Sequence, residues 1–317
     1  MQMLNSELLR QGLPVFNQGP LTRSSDLLED YLQCYRLQQI LNAGHHLDAS
    51  QQTVLGCSLF VQHYRSRHQA QGTVIILHGY FDHSGLYKHL ICYLLETGWD
   101  VLIYDLPGHG LSAGEPLAID AFTTYATQLT ELLDSRSKQL TEPWAVLGQS
   151  TGAAILIEQQ LKFGYRNWPV EKQVLLAPLV RPCDWQQIVN KYRWLRYFLR
   201  RVPRTYGVSS GDPKFLDFVQ HKDPLQHKYV PVKWIGAMLR WIEEVEQASG
   251  LSTRPLCIQG LEDETVEWRH NLGVIGRLYP GMDIRLLEKA RHHLVNEEAS
   301  LRLQIFQMIE AYLKQQS

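Results

Sequence analysis

Gly148-Gln149-Ser150-Thr151-Gly152 follows the apolar run Trp144-Ala145-Val146-Leu147 and leads into Ala153-Ala154-Ile155-Leu156-Ile157. A strand that turns straight into a helix at a serine between glycines holds that serine out as a nucleophile, and this reading decides the fold. Such a turn forces its central residue into strained backbone and brings strand and helix close together, so Gly148 and Gly152 supply the missing side-chain bulk. Ser150 then stands at the C-terminal edge of a sheet, and the helix N-terminus behind it offers N–H groups to a developing oxyanion. The pentapeptide alone recurs by chance. Its weight comes from the strand before it and the Ala-rich helix after it.

Working outward, apolar runs predict strands over 56–64, 73–77, 100–104, 144–147, 173–177, 255–259 and 283–287. Several are continuously apolar, as parallel strands buried on both faces are. Alternating with helical stretches, they predict an α/β fold with a mostly parallel central sheet flanked by helices. Residues 51–180 and 251–317 form this core. Residues 1–50 are expected to be an N-terminal helical extension packing on it, with a helix over 25–41 whose apolar positions Leu27, Leu28, Tyr31, Leu32, Tyr35 and Ile40 recur at helical spacing. Residues 181–250, rich in Trp, Tyr and Arg, are too long for one crossover and are expected to form an inserted helical cap, or lid.

The bulk properties narrow the function classes. With 317 residues and 44% hydrophobic content the chain can bury a large core. Its 31 basic and 32 acidic residues nearly cancel, so no global field favours nucleic acid. Five cysteines are odd in number and lack metal-ligand spacing, which fits reduced packing residues in a cytoplasmic protein. Neither a secretion signal nor a membrane span is legible, and any membrane contact is expected to be peripheral.

Four further motifs fall after predicted strands, where an open parallel sheet places its ligands. His78-Gly79-Tyr80 offers the backbone N–H of Tyr80 as an oxyanion donor beside that of Thr151. Tyr104-Asp105-Leu106-Pro107-Gly108-His109-Gly110 marks a tight loop, whose Asp105 and His109 are read as hydrogen-bonding the turn. Glu262-Asp263-Glu264 offers a carboxylate to orient a histidine; Asp263 is preferred, with both neighbours left open. His292-His293 lies in the last loop, which completes the order Ser, Asp, His.

These segments, His78 to Tyr87, Tyr104 to Gly114, Gly148 to Gly152, Gly260 to Asp263 and Ala290 to Glu297, resemble the monoacylglycerol lipase and lysophospholipase family of α/β-hydrolases, also classed with serine aminopeptidases. The resemblance covers about residues 55 to 315. It implies an α/β-hydrolase fold, with Ser150 as nucleophile, Asp263 as acid and His292 as base, and the amides of Tyr80 and Thr151 as the oxyanion hole. It gives His83 and Ser84 a supporting role in ordering the oxyanion loop. Gln149 and Thr151 stand where the family commonly has His and Met, and His293 where it often has Glu. The implied reaction is ester hydrolysis through an acyl-enzyme, without metal or organic cofactor.

For the substrate, a monoacyl lipid is the expected choice. Trp234, Met238 and Trp241 could line an acyl tunnel or fill the cap core. Residues 191–204 carry six basic residues and no acid, with Arg193, Arg196, Arg200 and Arg204 at helical spacing and Trp194 and Phe198 on the other face. Two expectations follow: contact with an anionic membrane and lipid substrate, or an ordinary surface helix with its aromatics packed on the core. An aminopeptidase or amidase on the same fold would need acids such as Glu243, Glu244 or Glu246 to hold an amine. A small-ester carboxylesterase and a non-catalytic ligand-binding module are the remaining alternatives. Oligomeric state is not legible.

Overall fold

A computed structural model describes residues 6–16, 26–165 and 168–315. The start of the helix expected over 25–41 lies outside the described residues. Helices α1 (Ser6–Gly12), α2 (Asp26–Cys34) and α3 (Gln38–Asn42) precede β1 (His46–Val54), β2 (Cys57–Arg65), β3 (Thr73–Leu77), α4 (Lys88–Glu96), β4 (Asp100–Tyr104) and α5 (Phe122–Arg136). Then come β5 (Trp144–Gln149), α6 (Thr151–Phe163), β6 (Val170–Leu176), α7 (Trp185–Leu195), β7 (Arg201–Pro203), α8 (Pro213–Asp217), β8 (Tyr229–Pro231) and α9 (Val232–Gln247). β9 (Leu256–Gly260), α10 (Trp268–Leu278), β10 (Asp283–Leu287) and α11 (Ala299–Leu313) complete the order.

Eight strands form one sheet in the order β1-β2-β4-β3-β5-β6-β9-β10. β2 runs against the other strands of this sheet, pairing antiparallel with β1 on one side and β4 on the other. The rest pair in parallel, as their unbroken apolar runs require: every residue of β3, β4, β5 and β9 is buried. This is the expected α/β-hydrolase architecture. Apolar side chains from opposite sheet faces fill two separate clusters, one under α4 and α11, the other under α5, α6, α9 and α10. The sheet was longer than its sequence suggested, because β1 begins at His46 within the stretch read as N-terminal extension. Its polar alternation, His46 to Val54, suits an edge strand with one solvated face.

The helix expected over 25–41 is two helices. Arg36 turns left-handed at φ 57°, Leu37 N–H donates to Leu32 O at 2.7 Å and Arg36 N–H to Gln33 O at 3.1 Å, the double closure of a Schellman turn. Tyr35, Leu37 and Ile40 are buried on both sides of it. The apolar rhythm thus continues across a break in the backbone, which periodicity alone does not register.

The basic stretch 191–204 is not one helix either. It stops at Leu195, and Arg201–Pro203 pairs antiparallel with Tyr229–Pro231, consistent with the extended backbone favoured before Pro203. Trp185, Ile188, Tyr192 and Leu195, spaced 3, 4 and 3, are the partly buried stripe of α7. Trp194 and Phe198 therefore face away, 76% and 80% exposed. That exposure corrects the expectation of an ordinary surface helix with these two aromatics packed on the core.

Candidate active site

At the end of β5 the chain turns into α6 through Ser150, whose φ of 54° and ψ of −111° are strained for any residue with a side chain. Two close approaches hold this turn. A Cβ on Gly152 would lie 2.0 Å from the Leu77 carbonyl oxygen of β3, and one on Gly148 would lie 2.4 Å from Ala153 N. Neither position accepts a larger residue without moving the strand or the helix. Ser150 N–H donates to Leu176 O at 2.8 Å, tying the turn to β6. Thr151, as the first helical residue, has an N–H that no intrahelical carbonyl accepts.

Beside it lies the loop after β3. A Cβ on Gly79 would come 3.5 Å from Ser150 Cβ, so this backbone borders the serine directly. His78 is buried and its tautomer is fixed by its partners: Nε2 accepts from Leu106 N–H at 2.9 Å, which leaves Nδ1–H to donate to Gly79 O at 2.8 Å. Burial pushes its pKa down, in keeping with a neutral ring. A trans peptide points C=O and N–H in opposite directions, so anchoring the Gly79 oxygen also aims the Tyr80 N–H. The Tyr80 side chain is held as well, its hydroxyl donating to Leu117 O at 2.8 Å and its ring stacked 3.8 Å from Trp234.

The loops after β9 and β10 meet each other. Glu262 N–H donates to Ala290 O at 3.0 Å, and this juxtaposition sets His292 against Asp263. His292 Nδ1–H donates to Asp263 Oδ2 at 2.8 Å. Asp263 is fully engaged, accepting also from Gln259 Nε2 at 3.0 Å, Thr265 N–H at 2.8 Å and Val266 N–H at 3.2 Å. Burial opposes ionisation of both groups, but their mutual attraction wins: the Asp263 pKa is lowered and that of His292 raised. A ring whose Nδ1 keeps its proton presents Nε2 as its basic atom. The acids left open in the sequence separate cleanly, since Glu262 and Glu264 lie instead 3.2 Å and 4.0 Å from the guanidinium of Arg291.

Each motif after a strand thus supplies one part. Asp105 and His109 serve the turn, as expected: Asp105 accepts from Ser84 and Leu111 N–H groups, each at 2.7 Å, and His109 Nδ1 lies 2.9 Å from Pro107 O. Sequence reasoning missed three contacts. Gln149 Nε2 donates to the His292 carbonyl at 2.9 Å, His293 Nε2 pairs with Asp82 Oδ1 at 3.0 Å, and His83 Nε2 pairs with Asp223 Oδ2 at 3.0 Å. No local signal announces partners 143, 211 and 140 residues away.

A family model described as serine aminopeptidase, S33, matches residues 68–299, which contain all of these parts. The chain belongs to this hydrolase family. Among curated relatives of this S33 hydrolase, human monoglyceride lipase is 31% identical over 126 residues, 39% of this chain and 41% of the human protein. The rat monoglyceride lipase is 28% identical over 66% of this chain and 70% of its own length. Phospholipase YtpA of Bacillus subtilis (strain 168) is 26% identical over 76% and 95%. In fold, the S33 chain is similar to a soluble variant of Saccharomyces cerevisiae monoglyceride lipase in complex with a substrate analog, with a TM-score of 0.73 and 13% identity over 84% of this chain and 95% of that one.

The other side chains considered for substrate lie as follows. Trp234, Met238 and Trp241 are buried in the second apolar cluster, Trp241 stacked 4.9 Å from Phe122 and Trp234 on Tyr80. Of the acids an aminopeptidase would need, Glu246 is paired with Arg181 and His270, and Glu244 with Lys162. Among the described residues no group of His, Cys, Asp and Glu could hold a metal ion, and no helix is long and apolar enough to cross a membrane.

Proposed function

We propose that this protein is a serine carboxylic-ester hydrolase acting on monoacyl lipids, of the monoacylglycerol lipase or lysophospholipase type. The observation that carries the reading is the strained Ser150 at the β5–α6 turn of a chain whose His292 is locked to Asp263 at 2.8 Å. In this mechanism His292 Nε2 takes the Ser150 proton as Oγ attacks the ester carbonyl. The N–H groups of Tyr80 and Thr151 stabilise the tetrahedral oxyanion, and the protonated His292 gives its proton to the leaving alcohol. Water, activated by the same imidazole, then releases the fatty acid from the acyl-enzyme. Asp263 holds the tautomer and stabilises the imidazolium.

The lipid reading draws on the monoglyceride lipase and phospholipase relatives, and on the apolar wall that Trp234 places beside Tyr80. Segment 181–250 is assigned the role of a lid over the site. Its outer face, with Trp194, Tyr197, Phe198 and Leu199 exposed among Arg193, Arg196, Arg200 and Arg201, suits a lipid–water interface carrying anionic headgroups. The amidase alternative is weakened because Glu244 and Glu246 are already committed to cations.

A hydrolysis panel of monoacylglycerols, lysophospholipids, p-nitrophenyl esters and amino-acid p-nitroanilides tests the assignment. Release of fatty acid from monoacyl lipids that disappears in Ser150→Ala is expected. Turnover of anilides in preference to esters, or full activity of Ser150→Ala, would overturn it.

A further inference from the structure

The turn that carries Tyr80 does not hold its shape alone. Phe81 sits at φ 67°, a conformation a residue with a side chain keeps only where its surroundings over-determine it. Those surroundings come from a distant part of the chain. Gln226 Nε2 donates to the Phe81 carbonyl at 3.0 Å, and the Arg204 guanidinium lies 3.8 Å over the Phe81 ring. Behind both is Asp223, whose side chain is wholly buried.

Asp223 binds three parts of the protein at once. Its Oδ2 accepts from His83 Nε2 at 3.0 Å and from Gln226 Nε2 at 2.9 Å. Its Oδ1 accepts from the Tyr35 hydroxyl of the N-terminal region at 2.7 Å and from Leu225 N–H at 3.1 Å. Among the described residues His83 has no hydrogen bond at Nδ1 and Asp223 is the single polar tether of its ring, which rests edge-on against Tyr35 at 4.8 Å. Tyr35 also fills the space over Gly85, where an added Cβ would lie 2.7 Å from its ring. The pair is charge-assisted. Burial works against both charges, yet Asp223 raises the His83 pKa and is itself lowered by His83.

We propose that Asp223 and Tyr35 are positioning residues for the oxyanion hole: through His83 and Gln226 they fix the Phe81–Asp82 peptide, whose N–H donates to Gly79 O at 3.1 Å, and so aim the Tyr80 N–H of the Gly79–Tyr80 peptide. This rests on the reading of Tyr80 as an oxyanion donor. It gives the N-terminal helices and segment 181–250 a part in transition-state stabilisation without contact to substrate. A donor displaced by a fraction of an ångström loses more in the transition state than in the ground state, so the effect falls on kcat and not on KM.

The experiment measures kcat and KM on a p-nitrophenyl ester, per active site titrated with a fluorophosphonate, together with inhibition by an alkyl boronic acid that mimics the tetrahedral state. Asp223→Asn is expected to lower kcat per titrated site roughly 10- to 100-fold and to weaken the boronate in parallel, with KM within about 2-fold. Tyr35→Phe, which removes one hydroxyl, is expected to lower both by about 3- to 10-fold. A merely structural role would reduce the titrated fraction and leave kcat per site intact. Unchanged kcat per site and boronate affinity in both variants would overturn the proposal; should Asp223→Asn fail to fold, Tyr35→Phe decides by itself. Absence of fluorophosphonate labelling at Ser150 in the wild type would instead overturn the hydrolase reading on which it stands.

Discussion

Gln149 donates its side-chain amide to the carbonyl oxygen of His292 at 2.9 Å, so the residue before Ser150 holds the loop that carries His292. Both groups are buried, and an unmatched buried carbonyl costs more than a single hydrogen bond gains. Gln149→Leu is expected to lower kcat/KM on an ester about 10-fold, on the order of 1.4 kcal/mol. Gln149→Glu should be worse, since a carboxylate cannot donate to a carbonyl. Steady-state kinetics on the two variants checks the order.

Strain at Ser150 sets activity against stability. Its φ of 54° with ψ of −111° suits glycine, and such strain costs on the order of 1–3 kcal/mol. Ser150→Gly is expected to be inactive yet more resistant to urea than both wild type and Ser150→Ala. Equilibrium unfolding of the three proteins measures it; equal midpoints for the glycine and alanine variants would contradict the strain.

The rate profile against pH follows from His292. In the proposed role of general base His292 must be neutral, and Asp263 raises its pKa in the folded protein against the opposing effect of burial. Activity therefore rises as pH increases through that raised value. Asp263→Asn removes the raising partner, so the acid limb of kcat/KM is expected to move to lower pH while the plateau falls by about 10⁴.

Acid stability depends on Asp82. It accepts from His293 at 3.0 Å, Tyr87 OH at 3.1 Å and Gly79 N–H at 3.2 Å. Burial raises its pKa, but His293, His78 and Tyr87 outweigh that and hold it below the ordinary 3.8. A carboxyl with a depressed folded pKa contributes stability above its unfolded value, and that contribution is lost as pH falls through the folded one. Asp82→Asn is expected to cost roughly 3 kcal/mol at neutral pH and to flatten the decline in stability below pH 3.8. Urea melts between acid and neutral pH report both.

The exposed aromatic face offers a binding test. Arg193→Glu with Arg196→Glu should weaken sedimentation with anionic vesicles about 30-fold or more, at roughly 1 kcal/mol per basic residue near a charged surface. Trp194→Ser with Phe198→Ser should weaken binding to neutral vesicles as well. Binding unchanged in both pairs would count against a membrane role for this face.

Much of this site was legible in the sequence because its parts are local. Apolar run, glycine, serine and glycine dictate a strand-to-helix turn within about a dozen residues, and the same holds for the tight loops at His78 and Asp105. Their order along the chain pointed to the α/β-hydrolase fold. The outer parts were harder. The periodicity from Leu28 to Ile40 survived a Schellman turn at Arg36 unnoticed, and the arginine spacing over 193–204 suggested a helix that ends at Leu195.

What the sequence determined by itself is the set of chemical groups and the loops that carry them, since backbone geometry over a few residues is fixed by sterics. What only the tertiary structure decided is which group faces which. His292 and His293 are adjacent, yet one finds Asp263, 29 residues away, and the other Asp82, 211 residues away. Trp194 and Trp234 are both apolar aromatics of segment 181–250; one stands in solvent and the other stacks on Tyr80. Partnerships of this range depend on the order β3-β5-β6-β9-β10 in the sheet. Strand order is a property of the whole folded chain, and no short window of residues contains it.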